Sequence, residues 1–386
     1  MRDAARIGFS RLLTRYALTT NSLPAADQAV QLTPADPEAH RARALILNRL
    51  RRPDEAVASL ELASSLRNGS EDLWIELGNT REELGDSEGA LAAFDEAVRA
   101  APYYAHTHWQ RGNLLLRMGR YEQAFTDLRE AAAKNEKYFR NLLELAWGLT
   151  RDAKQTEALL QFRADKDRLA FARFLAQRGK GTEVVDQVRL LSAPLSGENK
   201  DELVRLLAAS RRFGEAFELW QGRQPEAGIV NGSFEEPLVL DNVIFHWNLL
   251  QGQSKVKLAL DVSEKARGAK SLQVVFDGEW APGATLLSQT IVIEPGRRYQ
   301  LKFFVKTRDL VTGGPPQIVL TDAINDRILA KSDPFPSGSG SWSEMNVEFT
   351  APSQSAVISL MRDNCAPAPC PIFGVVWLDG FSLETL

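Results

Sequence analysis

The chain uses two hydrophobic rhythms. Up to about residue 222, apolar positions recur every three or four residues in Ala-, Leu- and Arg-rich stretches such as "WIELGNTREELGDSEGALAAFDEAVRAAP". That spacing puts the apolar residues on one face of a helix. Beyond Pro225 the pattern becomes strict alternation and short β-branched blocks, cut by Gly and Pro. That is the signature of strands and turns. The switch falls at "GIVNGSFEEP", Gly228 to Pro237. The pattern predicts two domains, helical over 1–224 and β over 225–386.

The helical half repeats. Gly78, Gly85, Ala90, Ala97 and Pro102 return 34 positions later as Gly112, Gly119, Ala124, Ala131 and Glu136. The same phases 34 positions earlier hold Ala44, Arg51, Ala56, Ala63 and Asn68. Small residues at fixed phases suit a close helix crossing, where a larger side chain would force the helices apart. Gly85 and Gly119 suit the turn. With Trp74, Leu77 and Phe94, the pattern over 37–138 resembles the tetratricopeptide repeat. "AADQAVQLTPADPEAH" reads as an earlier second helix, and three further helix–turn–helix segments follow Phe139. The expected architecture is an α-solenoid of about six hairpins. In such a solenoid the first helix of each pair lines a concave groove. Asn79, Trp109, Asn113 and Arg117 take groove phases here, as candidates for holding a peptide or protein segment. The alternative is a solvated helix surface with one packed aromatic.

The β half offers about ten candidate strands, which predicts an antiparallel jelly-roll β-sandwich. Its features run in order: "NGSFEEP", Trp247, "GAKSLQVVF", Gln289, "EPGRRYQLKFFVKT", "SWSEMNVEFTAP" and a closing "VVWLDGFSL". This order resembles the galactose-binding-like carbohydrate-binding modules found beside xylanases and glucanases. The resemblance implies that "NGSFEEP" is a first strand with Phe234 in the core. It also implies that Glu235 and Asp379 are candidate ligands of a structural calcium. The other reading is that Asp379 only hydrogen-bonds backbone. Sugars stack on aromatic faces. Trp247, Trp342 and Trp377 lie in or beside strands and are assigned to the core. Trp280 lies in a loop and is the candidate stacking platform, with Gln289 and Arg362 as polar partners. The alternative for Trp280 is closure of the sandwich end.

Composition narrows the function. The 386 residues carry 46 Lys+Arg against 50 Asp+Glu, for a net charge of −4. Neither half has the basic excess of a nucleic-acid binder. No apolar run approaches the ~18 residues of a membrane span. The opening "MRDAARIGFSRLLTRYALTT" reads as an amphipathic helix rather than a signal peptide, and a missing upstream signal or anchor would look the same. No nucleophile elbow, phosphate loop or zinc-protease motif occurs, so the chain reads as non-catalytic and needs no cofactor beyond the candidate calcium. His106 and His108 are two apart on a helix and diverge. Cys365 and Cys370, the only cysteines, are five apart in "DNCAPAPCPIFG". A bridge between them would contribute about 2 kcal/mol by loop closure. It would also favour an oxidising home, periplasmic or cell-envelope. Two free thiols in a cytoplasmic loop are the alternative. The leading reading is a scaffold with a protein partner on the solenoid and a polysaccharide on the sandwich, in envelope polysaccharide assembly or export. The rival is a purely structural module whose sandwich no longer binds sugar.

Overall fold

The computed structural model describes residues 2–222, 227–238, 244–249, 255–363, 365 and 370–386. The described residues form fourteen helices followed by ten strands. They divide into two compact units, Met1–Phe162 and Arg163–Leu386.

The first unit holds α1 (Arg2–Thr20), α2 (Leu23–Leu32), α3 (Pro37–Arg49), α4 (Pro53–Leu66), α5 (Glu71–Glu83), α6 (Ser87–Ala100), α7 (Ala105–Arg117), α8 (Tyr121–Lys134), α9 (Glu136–Thr150) and α10 (Ala153–Leu160). Consecutive helices pair as hairpins. The starts are written locally. Asp36 and Asp86 accept amide hydrogens from Glu38 and Gly89, and Pro37 and Pro53 occupy first helical positions, where a missing N–H costs nothing.

The repeat phases do what close packing requires. A Cβ on Gly78 would lie 2.7 Å from the Phe94 ring, and one on Gly112 would lie 2.8 Å from Leu128. Gly85 and Gly119 turn the chain at φ 80° and 74°. Polar contacts repeat as well, two periods apart. His40 and His108 each place Nε2 2.8 Å from the carbonyl oxygen of Pro34 and Pro102 respectively. Arg43 spans Asp27 and Ser59, and Arg111 spans Asp95 and Asp127. Identical phases therefore carry identical jobs.

The second unit begins with α11 (Asp165–Ala176), α12 (Gly181–Arg189), α13 (Gly197–Ala209) and α14 (Phe213–Gln221). The change of secondary structure follows α14, but the packing boundary comes earlier, because α14 and the turn before it pack on the β half. Phe217 meets the Phe245 ring edge-on at 5.0 Å. Trp220 lies 5.4 Å from Phe245 and 5.1 Å from His246. Arg211 reaches the carbonyl of Ala323 at 2.6 Å and the carboxylate of Asp326 at 2.9 Å. Seven hairpins stand where the periodicity predicts about six, since α1 pairs with α2 as a full hairpin ahead of the strong repeats.

The strands are β1 (Asn248–Leu249), β2 (Val256–Asp261), β3 (Ser271–Gly278), β4 (Leu287–Val292), β5 (Arg298–Thr312), β6 (Pro316–Asp322), β7 (Ile328–Lys331), β8 (Ser343–Thr350), β9 (Ser355–Arg362) and β10 (Ile372–Thr385). They form two antiparallel five-stranded sheets, ordered β1-β4-β9-β6-β7 and β2-β3-β10-β5-β8. Alternate residues of both sheets fill one core, including Leu272, Val274, Leu301, Phe303, Ile318, Ile358, Leu360 and Val376.

The segment "NGSFEEP" is not a strand. Asn231 and Phe234 have φ 48° and 56°, which breaks extended backbone. Phe234 nonetheless enters the core, fully buried against Trp247 and Phe381. A turn delivers it there instead of a pleat.

Candidate functional site

The groove residues lie in the first unit. Trp109 on α7 stacks on Tyr138 of α9, with ring centres 4.8 Å apart and planes 21° from parallel. Asn113, one turn on, donates to the Trp109 carbonyl at 2.7 Å. Arg117 pairs with Glu82 of α5 at 2.5 Å. Asn79 is half-buried on α5. The structure adds residues that the sequence reading left out. His106 Nδ1 sits 3.1 Å from the Tyr138 hydroxyl, and its ring meets Tyr104 edge-on at 6.1 Å. His106 is thus one of four rings in an aromatic cluster with Tyr104, Trp109 and Tyr138, while His108 turns inward to Asp127 at 3.0 Å. The signal lay in "PYYAHTHW", whose aromatic density marks this junction between repeats. What it could not reveal was Tyr138, one repeat away.

In the second unit the expected sugar residues are not at a surface. Trp280 is 1% exposed, within the core, with its ring stacked on Phe276 at 5.5 Å. A ring so covered presents no open face, so Trp280 closes the end of the sandwich. Trp342 departs from expectation in the opposite direction and is only half-buried. Gln289 is buried, and both ends of its amide are used. Oε1 accepts from the Val230 N–H at 3.1 Å, and Nε2 donates to the Val230 carbonyl at 2.8 Å. It fastens the opening segment to β4 and has nothing left for a sugar. Arg362 is also buried, beside Trp280, and donates to the Cys370 carbonyl. Cys365 and Cys370 are disulfide-linked, with Cα atoms 6.0 Å apart.

Glu235 and Asp379, far apart in sequence, act on the same loop. Asp379 Oδ2 accepts the amides of Ala266 and Arg267 at 2.9 and 2.8 Å. Glu235 Oε1 accepts those of Ala269 and Lys270 at 2.7 and 3.3 Å. Burial raises the Asp379 pKa, and the Glu235 charge adds to the rise. Asp379 Oδ1 is buried with no hydrogen-bond partner among the described residues. That orphaned oxygen fits a cation. The rest of a calcium shell, about six to eight oxygens, would need backbone carbonyls and water. Among the described residues no three His, Cys, Asp or Glu side chains gather as a metal site.

Aromatic residues are divided unequally between the sheets. The strands of the β1-β4-β9-β6-β7 sheet contain none. The outer face of the other sheet carries Phe373, Val375 and Trp377 along β10, with Phe304 on β5. Phe373 is 45% exposed. Trp377 is only 1% exposed, as buried as the sequence reading expects, because Arg308 and Lys306 cover it with their charges 4.8 and 5.8 Å from its ring. Its Nε1 donates to Asp261, which also accepts from Gln273. Hydrogen bonds from Ser263 first, and then from Trp377, hold the Asp261 carboxyl at about 2 against the effect of burial. Trp342 directly precedes β8 at the edge of this sheet. The face therefore offers Phe373, with half-buried Phe304 and Trp342, beside polar and charged groups, while Trp377 is covered.

Exchanging two tryptophans tests this placement. Trp280→Ala should cost ~3–5 kcal/mol of stability, as for a buried aromatic, and Trp342→Ala much less. Denaturant melts of both variants check the order. Equal costs would mean that the two rings are not placed as described.

Comparison with known proteins agrees with this division. Residues 226–361 match the family model described as a carbohydrate binding domain, and residues 71–104 and 105–138 match the tetratricopeptide repeat. Over 102 residues the chain is 32% identical to Protein FlbA of Caulobacter vibrioides, spanning 26% of this chain but only 17% of that protein. Among solved structures, one of MamA protein is 13% identical, with a TM-score of 0.36, over 50% of this chain and 99% of that one. A structure titled "CBM4 structure and function" is 16% identical, with a TM-score of 0.30, over 41% of this chain and 99% of that one. The chain thus joins a region that matches the tetratricopeptide repeat to one that matches the model of a carbohydrate binding domain.

Proposed function

We propose that the chain is a non-catalytic adaptor, with a protein segment on the repeats and a polysaccharide on the sandwich. The setting proposed is assembly or export of an envelope polysaccharide, in an oxidising compartment. The observation that carries the glycan half is the outer face of the β2-β3-β10-β5-β8 sheet, with exposed Phe373, half-buried Phe304 and Trp342, and flanking polar groups. Polarised C–H groups of a sugar suit ring faces, and the hydroxyls suit Gln273, Asp261 and Lys306. For the protein half, the supporting feature is the cluster of Trp109, Tyr138, His106 and Tyr104. The rival, a sandwich that makes only protein contacts, draws on the cations already seated over Trp377.

Affinity electrophoresis against a panel of soluble polysaccharides separates the two. Binding should be weak, because desolvating sugar hydroxyls cancels much of the gain. Phe373→Ala and Trp342→Ala should each weaken retention about tenfold, or ~1.4 kcal/mol. Retention of the parent by no polysaccharide would leave the rival. Retention unchanged in both variants would move the site elsewhere.

Calcium at Glu235 and Asp379 is proposed as a structural support for the loop they hold. Calcium at roughly a hundredfold over its Kd should then stabilise the parent by ~2.7 kcal/mol, and a chelator should remove that gain. Asp379→Asn should melt alike with and without calcium. Parent melts indifferent to calcium and chelator would remove the ion from the account.

A further inference from the structure

Arg362 is the most anomalous charge in the molecule. Along β9, Ala356, Ile358, Leu360 and Arg362 share one face, and the first three are core. The alternation therefore carries the guanidinium inward between the sheets, where it is 1% exposed. Removing such a cation from water costs several kcal/mol unless an anion and full hydrogen bonding compensate. The chain supplies little of either. One nitrogen, Nη2, donates to the Cys370 carbonyl. Among the described residues Nε and Nη1 have no hydrogen-bond partner. Neighbouring Asp363 pairs with Lys331 at 2.7 Å instead. Among the described residues no carboxylate makes an ion pair with Arg362.

A second orphan lies alongside. The centre of the Trp280 ring is 5.9 Å from the guanidinium carbon, and the Trp280 indole N–H is buried without an acceptor among the described residues. Two neighbouring side chains thus hold three unsatisfied donors and one uncompensated positive charge. Native interiors pair nearly all such groups, and an exception of this size points to a bound water or ion. A water accepts at most two hydrogen bonds and brings no charge. A monoanion accepts all three and neutralises the cation.

We propose that Arg362 and Trp280 hold a small monoanion, a halide or a carboxylate the size of acetate, inside the end of the sandwich. The near-complete burial leaves no room for a sugar ring, so this site is separate from the glycan face and does not depend on it. Burial also pushes the guanidinium pKa down from its ordinary value, yet arginine keeps its proton in proteins. The charge therefore has to be met rather than lost. The anion would join β9 to the Trp280 loop through both their donors, which makes it a structural ligand.

Two experiments on the full chain test this. In crystals grown with sodium bromide, an anomalous difference map should show a peak within hydrogen-bonding distance of Arg362 Nε or Nη1 and of Trp280 Nε1. A position filled by water or a protein oxygen, with no anomalous signal, would overturn the proposal. In solution, replacing gluconate by chloride or by acetate at constant ionic strength should raise the parent Tm as binding to the native state requires. The more effective of the two identifies the anion as halide or carboxylate. Arg362→Met should abolish the dependence, whatever its own stability. A parent Tm that ignores both anions would overturn the proposal without need of the variant.

Discussion

One close backbone contact, between Gly232 and Phe381, ties the opening segment of the sandwich to its last strand. The Phe381 N–H donates to the Gly232 carbonyl at 2.8 Å. A Cβ on Gly232 would stand 2.2 Å from the Phe381 carbonyl oxygen, so no other residue fits there. This contact fixes where the opening segment lies against the last strand. Phe234, two residues on, is thereby delivered onto Trp247 and Phe381, and Phe381 stacks in turn on Phe303 at 5.0 Å. Glu235 follows, and is brought to the loop that Asp379 holds from the other side. The contact also explains Gln289, whose amide binds the Val230 peptide just upstream. A polar side chain that would be costly in the core is satisfied there by a segment that has no strand partner of its own.

The repeats are held differently, by many small equivalents. Gly78 against Phe94 and Gly112 against Leu128 are the same crossing, one period apart. His40 and His108, and Arg43 and Arg111, are the same polar contacts two periods apart. Each hairpin therefore depends on its neighbours rather than on one central contact, as in repeat architectures generally. Side chains free of these duties are where individuality appears. The stacked pair Trp109 and Tyr138 is such a case, since Ile75 takes the Trp109 phase one repeat earlier and is buried.

Much of the fold was legible because packing is written in period. Gly78 and Gly112, 34 residues apart, marked close crossings, Gly85 and Gly119 marked the turns, and alternation after Pro225 marked strands. The same alternation would have placed Gln289 and Arg362 correctly. Gln289 shares parity with Leu287 and Ile291, and Arg362 with Ile358 and Leu360, all of them core positions. Their polarity drew them toward a sugar, although parity had already turned them inward. Trp280 could not be read that way. Its Gly and Pro neighbours mark a loop, but a loop's burial depends on where the chain folds back, here over Phe276. The exposure of Phe373 on β10 was hidden for a related reason. Whether Phe373 or Ile372 faces solvent depends on which side the other sheet lies, and tertiary packing alone decides that.

The central claim is that the glycan surface is the outer face of the β2-β3-β10-β5-β8 sheet. Backbone hydrogen exchange of the full chain, with and without a saturating oligosaccharide taken from whichever polysaccharide retains it, tests this most directly. The account predicts slowed exchange confined to the strands and edges around Phe373, Trp377, Lys306 and Trp342. Protection confined instead to β4, β6, β7 and β9 would contradict it.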